Sequence, residues 1–221
     1  MADKKTRAPI RTLISLCVFL AFLQAVRWFL IQRISIDAQN TALSYSLAII
    51  VLIALSALIL ALARFWRIRL YLTPVFTSTK DKIMYIMFSC LTGLLLLSIP
   101  FETGNFSPAA LVMLLYSAVV LPMFEELLFR GYIWARLRKS YSPEITVCMV
   151  TALLFAVWRA GVGDVWLFQG DISAFSFVMT VITNAVQGLM VGLITGFVRL
   201  LAKNCVPGLL IHIILALIIH S

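Results

Sequence analysis

The chain has 221 residues and a formal net charge of +9; 62% of its residues are hydrophobic and only 12% are charged. Its mean hydropathy is +1.05, which lies well outside the range of water-soluble domains and excludes a soluble globular protein. A basic excess in so apolar a chain reads as membrane topology and contact with anionic lipid, not as nucleic-acid binding.

The first apolar window runs from about Leu13 to Ile31, behind Lys4, Lys5, Arg7 and Arg11. It has a basic lead-in but no small-residue cleavage site, so it reads as an uncleaved span. Ser44 to Ala63, closed by Arg64, is the cleanest stretch of the ~20 apolar residues that a bilayer requires. Further windows cover Ile83 to Phe101, Ala109 to Phe124 and beyond, Thr146 to Trp158, Phe175 to Val198, and Val206 to Ile219. The expectation is an all-α, polytopic transmembrane helical bundle of about seven spans. It forms one integrated membrane domain, with residues 1–107 as N-terminal spans and 108–221 as the core that carries the site.

Basic residues alternate along this series. Arg64, Arg67, Arg69, Lys80 and Lys82 separate spans two and three; Arg136, Arg138 and Lys139 follow span four; Arg199 and Lys203 follow span six. The intervening loops carry little beyond Arg33 and Arg159. This bias places the N-terminus in the cytoplasm and, with seven spans, the C-terminus outside. Cys17, Cys90, Cys148 and Cys205 fall on spans or span ends at no metal-ligand spacing and read as packing residues. With the two histidines, His212 and His220, they give no zinc pattern, and no metal or other cofactor is expected. His220, beside the terminus, reads as solvated. No internal repeat, phosphate-binding glycine loop or lipidation signal is present.

The fourth window holds the chemistry. Phe124-Glu125-Glu126-Leu127-Leu128-Phe129-Arg130-Gly131-Tyr132 sets two adjacent acids and an arginine inside hydrocarbon, in a chain with only nine acidic residues. Acids at membrane depth cost about 3 kcal/mol or more, so they are usually paired and functional. From Ala109 the chain is compatible with one helix to about Lys139, with Pro122 the only breaker. A turn at Ser140-Tyr141-Ser142-Pro143 then starts the fifth span. Helical rise puts Glu125 about 21 Å above Lys139, and Arg159 about 24 Å above Pro143. An antiparallel hairpin therefore brings Glu125 and Arg159 to one depth.

Glu126 and Arg130 are spaced i, i+4 and can pair, while Glu125 points about 100° away. An orienting ion pair beside a desolvated carboxylate is a workable general base. The same residues also suit a salt-bridge cluster that only anchors helices. His212, in Pro207-Gly208-Leu209-Leu210-Ile211-His212, reads either as a helix–helix hydrogen bond or as a catalytic imidazole. Asn184 and Gln187, beside Gly188 and Gly192, read as close helix packing with an interhelical hydrogen bond.

Phe124-Glu125-Glu126-x-x-x-Arg130-Gly131 resembles the first motif of the CPBP intramembrane proteases. These include the type II CAAX prenyl endopeptidases and bacterial bacteriocin-processing or immunity proteins. The resemblance covers roughly Pro108 to Ile219. It implies a CPBP-type helical bundle, a bacterial plasma-membrane setting and peptide-bond hydrolysis by a glutamate-activated water, without metal. The partners it implies are the lipid bilayer and a membrane-associated peptide or protein substrate. By resemblance, Glu125 activates water, Glu126 and Arg130 support it, and His212 steadies the oxyanion.

Two family positions differ. The Phe-x-x-x-His motif reads Phe155-Ala156-Val157-Trp158-Arg159, and the His-x-x-x-Asn motif reads His212-Ile213-Ile214-Leu215-Ala216. Arginine has no acceptor and cannot share base catalysis, so beside Glu125 it makes a poorer base. Loss of one oxyanion donor typically costs about 10²–10³ in turnover. Arg159 could serve as a replacement electrophile, and Asn184 or Gln187 as a replacement donor. Two readings stand: an endopeptidase impaired at Arg159 and Ala216, or an inactive homologue acting as a membrane peptide-binding, immunity or scaffold protein. A small transporter is disfavoured by the lack of repeated halves and paired broken helices.

The alternating loop charges generate a topological test. Reporter fusions at Ser78 and Asn105 are expected on opposite faces, with Ser78 cytoplasmic; the same face for both would overturn the span count.

Overall fold

The computed structural model describes residues 3–37, 41–70, 72, 79–161 and 174–220. These form seven helices and no strand: α1 (Asp3–Asp37), α2 (Thr41–Phe65), α3 (Thr79–Thr103), α4 (Pro108–Arg138), α5 (Glu144–Ala160), α6 (Ala174–Ala202) and α7 (Val206–His220). The all-α membrane bundle read from the sequence is the fold. Five helices, α1 to α4 and α6, are long and apolar enough to cross a bilayer. The other two, α5 and α7, have 17 and 15 residues.

The polarity of the molecule is inverted relative to a soluble domain. Val157, Phe175, Phe101 and Leu201 are exposed, whereas Arg27, Glu125, Glu126, Arg130, Arg199 and His212 are buried. Lipid solvates the apolar exterior, and only contacts between helices can satisfy the polar groups. Helix α4 is the axis. Of its most apolar window 44% is buried, against 11% for α3, and it packs against α1, α2, α5 and α7.

Pro122 does not break α4, because the backbone changes register around it. Residues Leu115–Val120 and Leu127–Ile133 are π-helical and flank an α-helical segment, Leu121–Glu126, that carries both acids. Proline removes an N–H and crowds the carbonyl four residues back, and a wider turn relieves both. The second π segment carries Arg130, and the Arg199 Nε–H donates to the Arg130 carbonyl at 3.5 Å. The α4–α5 turn is closed by an Arg138–Glu144 ion pair and by a 2.8 Å hydrogen bond between the Thr12 and Ser140 hydroxyls, which ties α1 to it.

Helix α6 lies along α5 through three glycines spaced by four. A Cβ on Gly192 would stand 3.1 Å from the Ala152 Cα, one on Gly196 2.9 Å from the Cys148 sulfur, and one on Gly188 2.7 Å from the Arg159 Cβ. Small residues at this spacing let two membrane helices approach closely. Gly188 and Gly192 thus belong to the close packing that their sequence suggested. Asn184 and Gln187 are half-buried, and the side chains that meet the two acids in hydrogen bonds include Trp158 and His212.

The glycine seam makes a stability prediction. Gly192→Val is expected to lower the melting midpoint in detergent, at a cost of roughly 1–3 kcal/mol for overpacking. Gly93→Ala, where a Cβ meets nothing within 4 Å, is expected to leave the midpoint level or slightly raised. Equal loss for both would mean that α5 and α6 do not depend on this contact.

Candidate active site

Five residues singled out from the sequence converge at the centre of the bundle. Glu125, Glu126 and Arg130 come from α4, Arg159 from the last turn of α5 and His212 from α7. The i, i+4 pair forms, with Arg130 Nη1 3.5 Å from Glu126 Oε1. The hairpin brings Arg159 Nε to 3.5 Å from Glu125 Oε1. His212 bridges the two acids, with Nδ1 3.0 Å from Glu126 Oε1 and Nε2 3.5 Å from Glu125 Oε2.

Phe155 organises the cations. The Arg130 guanidinium carbon lies 4.7 Å from its ring centre, that of Arg159 lies 5.7 Å away, and the His212 ring meets it edge-on at 5.8 Å. A phenyl face attracts cations through its quadrupole and, unlike a carboxylate, needs no neutralising partner in hydrocarbon. Arg130 also donates from Nη2 to the Gly192 carbonyl at 2.9 Å. The residue that lets α6 pack on Ala152 of α5 therefore also lends its carbonyl to the site.

Small residues shape two further approaches. A Cβ on Gly188 would also stand 2.9 Å from the Arg159 Cγ, so this glycine provides the space in which the Arg159 stem runs. A Cβ on Gly208 would stand 3.2 Å from Glu126 Oε2, so the start of α7 comes close to that carboxylate. On the other side of Glu126, a cavity of about 340 Å³ reaches it between α2, α4 and the start of α7. Its lining includes Ser56, Leu60, Met123, Leu127 and Leu209.

Several buried polar atoms of the cluster have no hydrogen-bond partner among the described residues. They include Glu125 Oε2, Glu126 Oε2, Arg159 Nε and His212 Nε2. Glu125 Oε2 and His212 Nε2 face each other, so an acceptor and a ring nitrogen meet at one point. Buried unsatisfied polar groups are costly, and each calls for an explanation such as stored strain, a catalytic role or a bound water.

The family model described as type II CAAX prenyl endopeptidase Rce1-like matches residues 107–218, just over half of the chain. The chain belongs to this Rce1-like family. No curated protein and no solved structure matches it. The matched segment spans α4 to α7 and so contains all five clustered residues, whereas α1 to α3 lie outside it. Membership gives the chain a CAAX-protease-type setting in the membrane.

Sequence reading passed over Trp158 and Arg27. The Trp158 indole N–H donates to Glu125 Oε1 at 3.3 Å, and Arg27 of α1 is buried with its guanidinium 5.7 Å from the Trp158 ring centre. Both left a signal: Trp158 sits inside the second motif, and Arg27 is a charge within the first span, where a charge is a functional hint by default. Ala216 is buried one turn beyond His212. The four cysteines are free, with Cys148 and Cys205 buried. The Cys205 thiol, in the α6–α7 loop, is pushed up to about 11, chiefly by burial. Among the described residues no group of three or more His, Cys, Asp or Glu is placed to hold a metal ion. The side chain of His220 and the loop residue Ser78 lie outside the described residues.

The two acids differ in how their cations are held. Arg130 is 0% exposed, whereas the Arg159 side chain is 20% exposed and can turn outward. Glu126→Gln is expected to lower stability by roughly 3–5 kcal/mol, as when one partner of a buried pair is removed. Glu125→Gln should cost clearly less. Thermal melts in detergent giving the reverse order would show that Arg159, and not Arg130, is the trapped charge.

Proposed function

We propose that the protein is a membrane-embedded endopeptidase of the CAAX-protease type that hydrolyses a peptide bond with a water activated by Glu125, and that Arg159 restrains it. The observation that carries this reading is the meeting of Glu125 Oε2 and His212 Nε2, 3.5 Å apart, buried and without hydrogen-bond partners among the described residues. A water there can donate to the carboxylate and attack a carbonyl carbon from the same point.

The steps follow from the donors present. Glu125 takes the water's proton at Oε2 as the oxygen attacks. Negative charge moves to the carbonyl oxygen. His212 is held by Glu126, with Nδ1 3.0 Å from its Oε1, and presents Nε2 to the reacting point. An N–H at Nε2, which has no partner among the described residues, can serve the developing oxyanion. Glu126 keeps the Nδ1–H and so fixes the ring, and Arg130 holds Glu126 in place. Glu125 then returns its proton to the leaving amine as the tetrahedral centre collapses. No covalent intermediate forms.

Arg159 has a double effect on this scheme. Its guanidinium lies against Glu125 Oε1 and competes for the lone pairs of the base, and it is also an electrophile beside the reacting centre. The apolar cavity that reaches Glu126 suits a membrane-associated peptide with apolar side chains as the substrate. Residues 108–221 carry the chemistry, and residues 1–107 are additional spans around them. The alternating basic loops support a cytoplasmic N-terminus in a bacterial plasma membrane.

A second reading is favoured by one contact. The Arg159 guanidinium lies against Glu125, and Ala216 stands where the family's motif has asparagine. On that reading the protein binds a membrane peptide in the same place, as an immunity or scaffold protein, without cleaving it.

One pair of substitutions separates the two. Arg159→His with Ala216→Asn is expected to raise peptidase activity on a membrane-peptide substrate by about 10²-fold or more, and Glu125→Ala in that background should abolish the gain. If the wild type cleaves and the double variant is slower, Arg159 belongs to a working variant site. If neither cleaves any of a broad peptide panel while the wild type retains a bound peptide, the binding reading holds.

A further inference from the structure

Glu125 has two kinds of contact on Oε1, and they are not equivalent. Arg159 Nε is near enough for charge pairing at 3.5 Å, yet it makes no hydrogen bond to any described residue. The Trp158 indole, 3.3 Å away, makes the hydrogen bond that Glu125 receives among the described residues. Arg159 is part-exposed. Trp158 is 3% exposed, and its ring is fixed by Phe124 and Phe129, each with its centre 6.0 Å away. A bond from a locked indole sets the plane of the carboxylate, whereas a charge at 3.5 Å without a hydrogen bond does not.

The indole is itself held from outside the family-matched segment. Arg27 of α1 places its guanidinium 5.7 Å from the Trp158 ring centre and donates to the Tyr116 hydroxyl at 3.3 Å. Tyr116 packs on Tyr45 of α2, with ring centres 5.4 Å apart. One turn before Arg27 on α1, the Gln24 amide donates to the Gly161 carbonyl at the end of α5. Helix α1 therefore grips the last turn of α5 at two points on either side of Arg159. A cation on the face of an indole draws electron density from the ring and makes its N–H a stronger donor.

We infer that Trp158 is the positioning residue that turns Glu125 Oε2 toward His212, and that Arg27 of α1 holds the indole for this purpose, making the first helix part of the site. The catalytic consequence rests on the proposed peptidase reading; the hydrogen bond does not. Trp158 touches the base, not the substrate, and its effect is to fix which carboxylate oxygen faces the reacting centre. The role follows from the N–H alone, so a phenyl ring at the same place keeps the packing and loses the function.

The test uses the full chain in lipid nanodiscs with ¹⁵N-labelled indoles. The five tryptophans give one indole N–H signal each, and Trp158→Phe identifies the one at issue. That signal is expected to be slow to exchange with deuterium and to move in both Glu125→Ala and Arg27→Met. A signal unmoved by Glu125→Ala overturns the hydrogen bond, and one unmoved by Arg27→Met overturns the part given to α1. In kinetics, Trp158→Phe should lower kcat roughly tenfold or more, the scale of one hydrogen bond to a charged group, with KM changed less than about twofold. Trp134→Phe, on Arg199 and away from Glu125, should leave both constants at wild-type values. An unchanged kcat in Trp158→Phe overturns the positioning role. If the wild type cleaves no peptide, the peptidase reading falls, and the indole signals still decide whether Trp158 orients Glu125.

Discussion

A charge inside a bilayer has to be met by another charge or by a shaped set of dipoles, and the second half of this chain is built around that requirement. Glu125 and Glu126 bring two carboxyl groups to the centre of the bundle. Arg130 and Arg159 answer them, and His212 joins the two carboxylates. The cations then need surroundings of their own, which Phe155 supplies to both guanidinium groups and to the imidazole. The glycines of α6 complete the arrangement, because Gly192 both packs closely on Ala152 and lends its carbonyl to Arg130. Packing and electrostatics are a single constraint here. The helices can approach only where side chains are absent, and the ions are satisfied only where the helices approach.

Much of this was legible in the sequence because membrane helices obey few rules. The apolar windows marked the helices, and α4 continued through Pro122 as expected. The i, i+4 spacing announced the Glu126–Arg130 pair, and counting rise along a hairpin was enough to bring Arg159 to Glu125. The π-helical stretches around Leu121–Glu126 were not legible. They answer a local crowding problem that residue types alone do not specify, and they reset the directions of all side chains beyond them. The orientation of His212 also had to come from coordinates, since a histidine in an apolar helix can face any of several neighbours. Trp158 and Arg27 were overlooked for another reason. Tryptophan in a membrane helix passes for hydrocarbon until its N–H finds an acceptor, and Arg27 lay in a span read by its average hydropathy.

Family membership rests on residues 107–218, yet the structure does not stop at that boundary. Helix α2 walls the cavity that reaches Glu126, and α1 grips the end of α5. The first two helices therefore bear on the site, although their sequence carries no motif. Motif positions mark the clustered ionisable groups but not the elements that hold them still.

The two shortest helices carry Arg159 and His212. Helix α5 has 17 residues and α7 has 15, which correspond to about 25 Å and 22 Å of rise. A hydrocarbon core is about 30 Å thick, more than the rise of α5. Where α5 faces lipid, the bilayer must thin or the helix end must sit below its surface. Hydrophobic mismatch thus falls on the helix that carries Arg159, and the acyl-chain length of the surrounding lipid bears on how deep that end of the bundle lies.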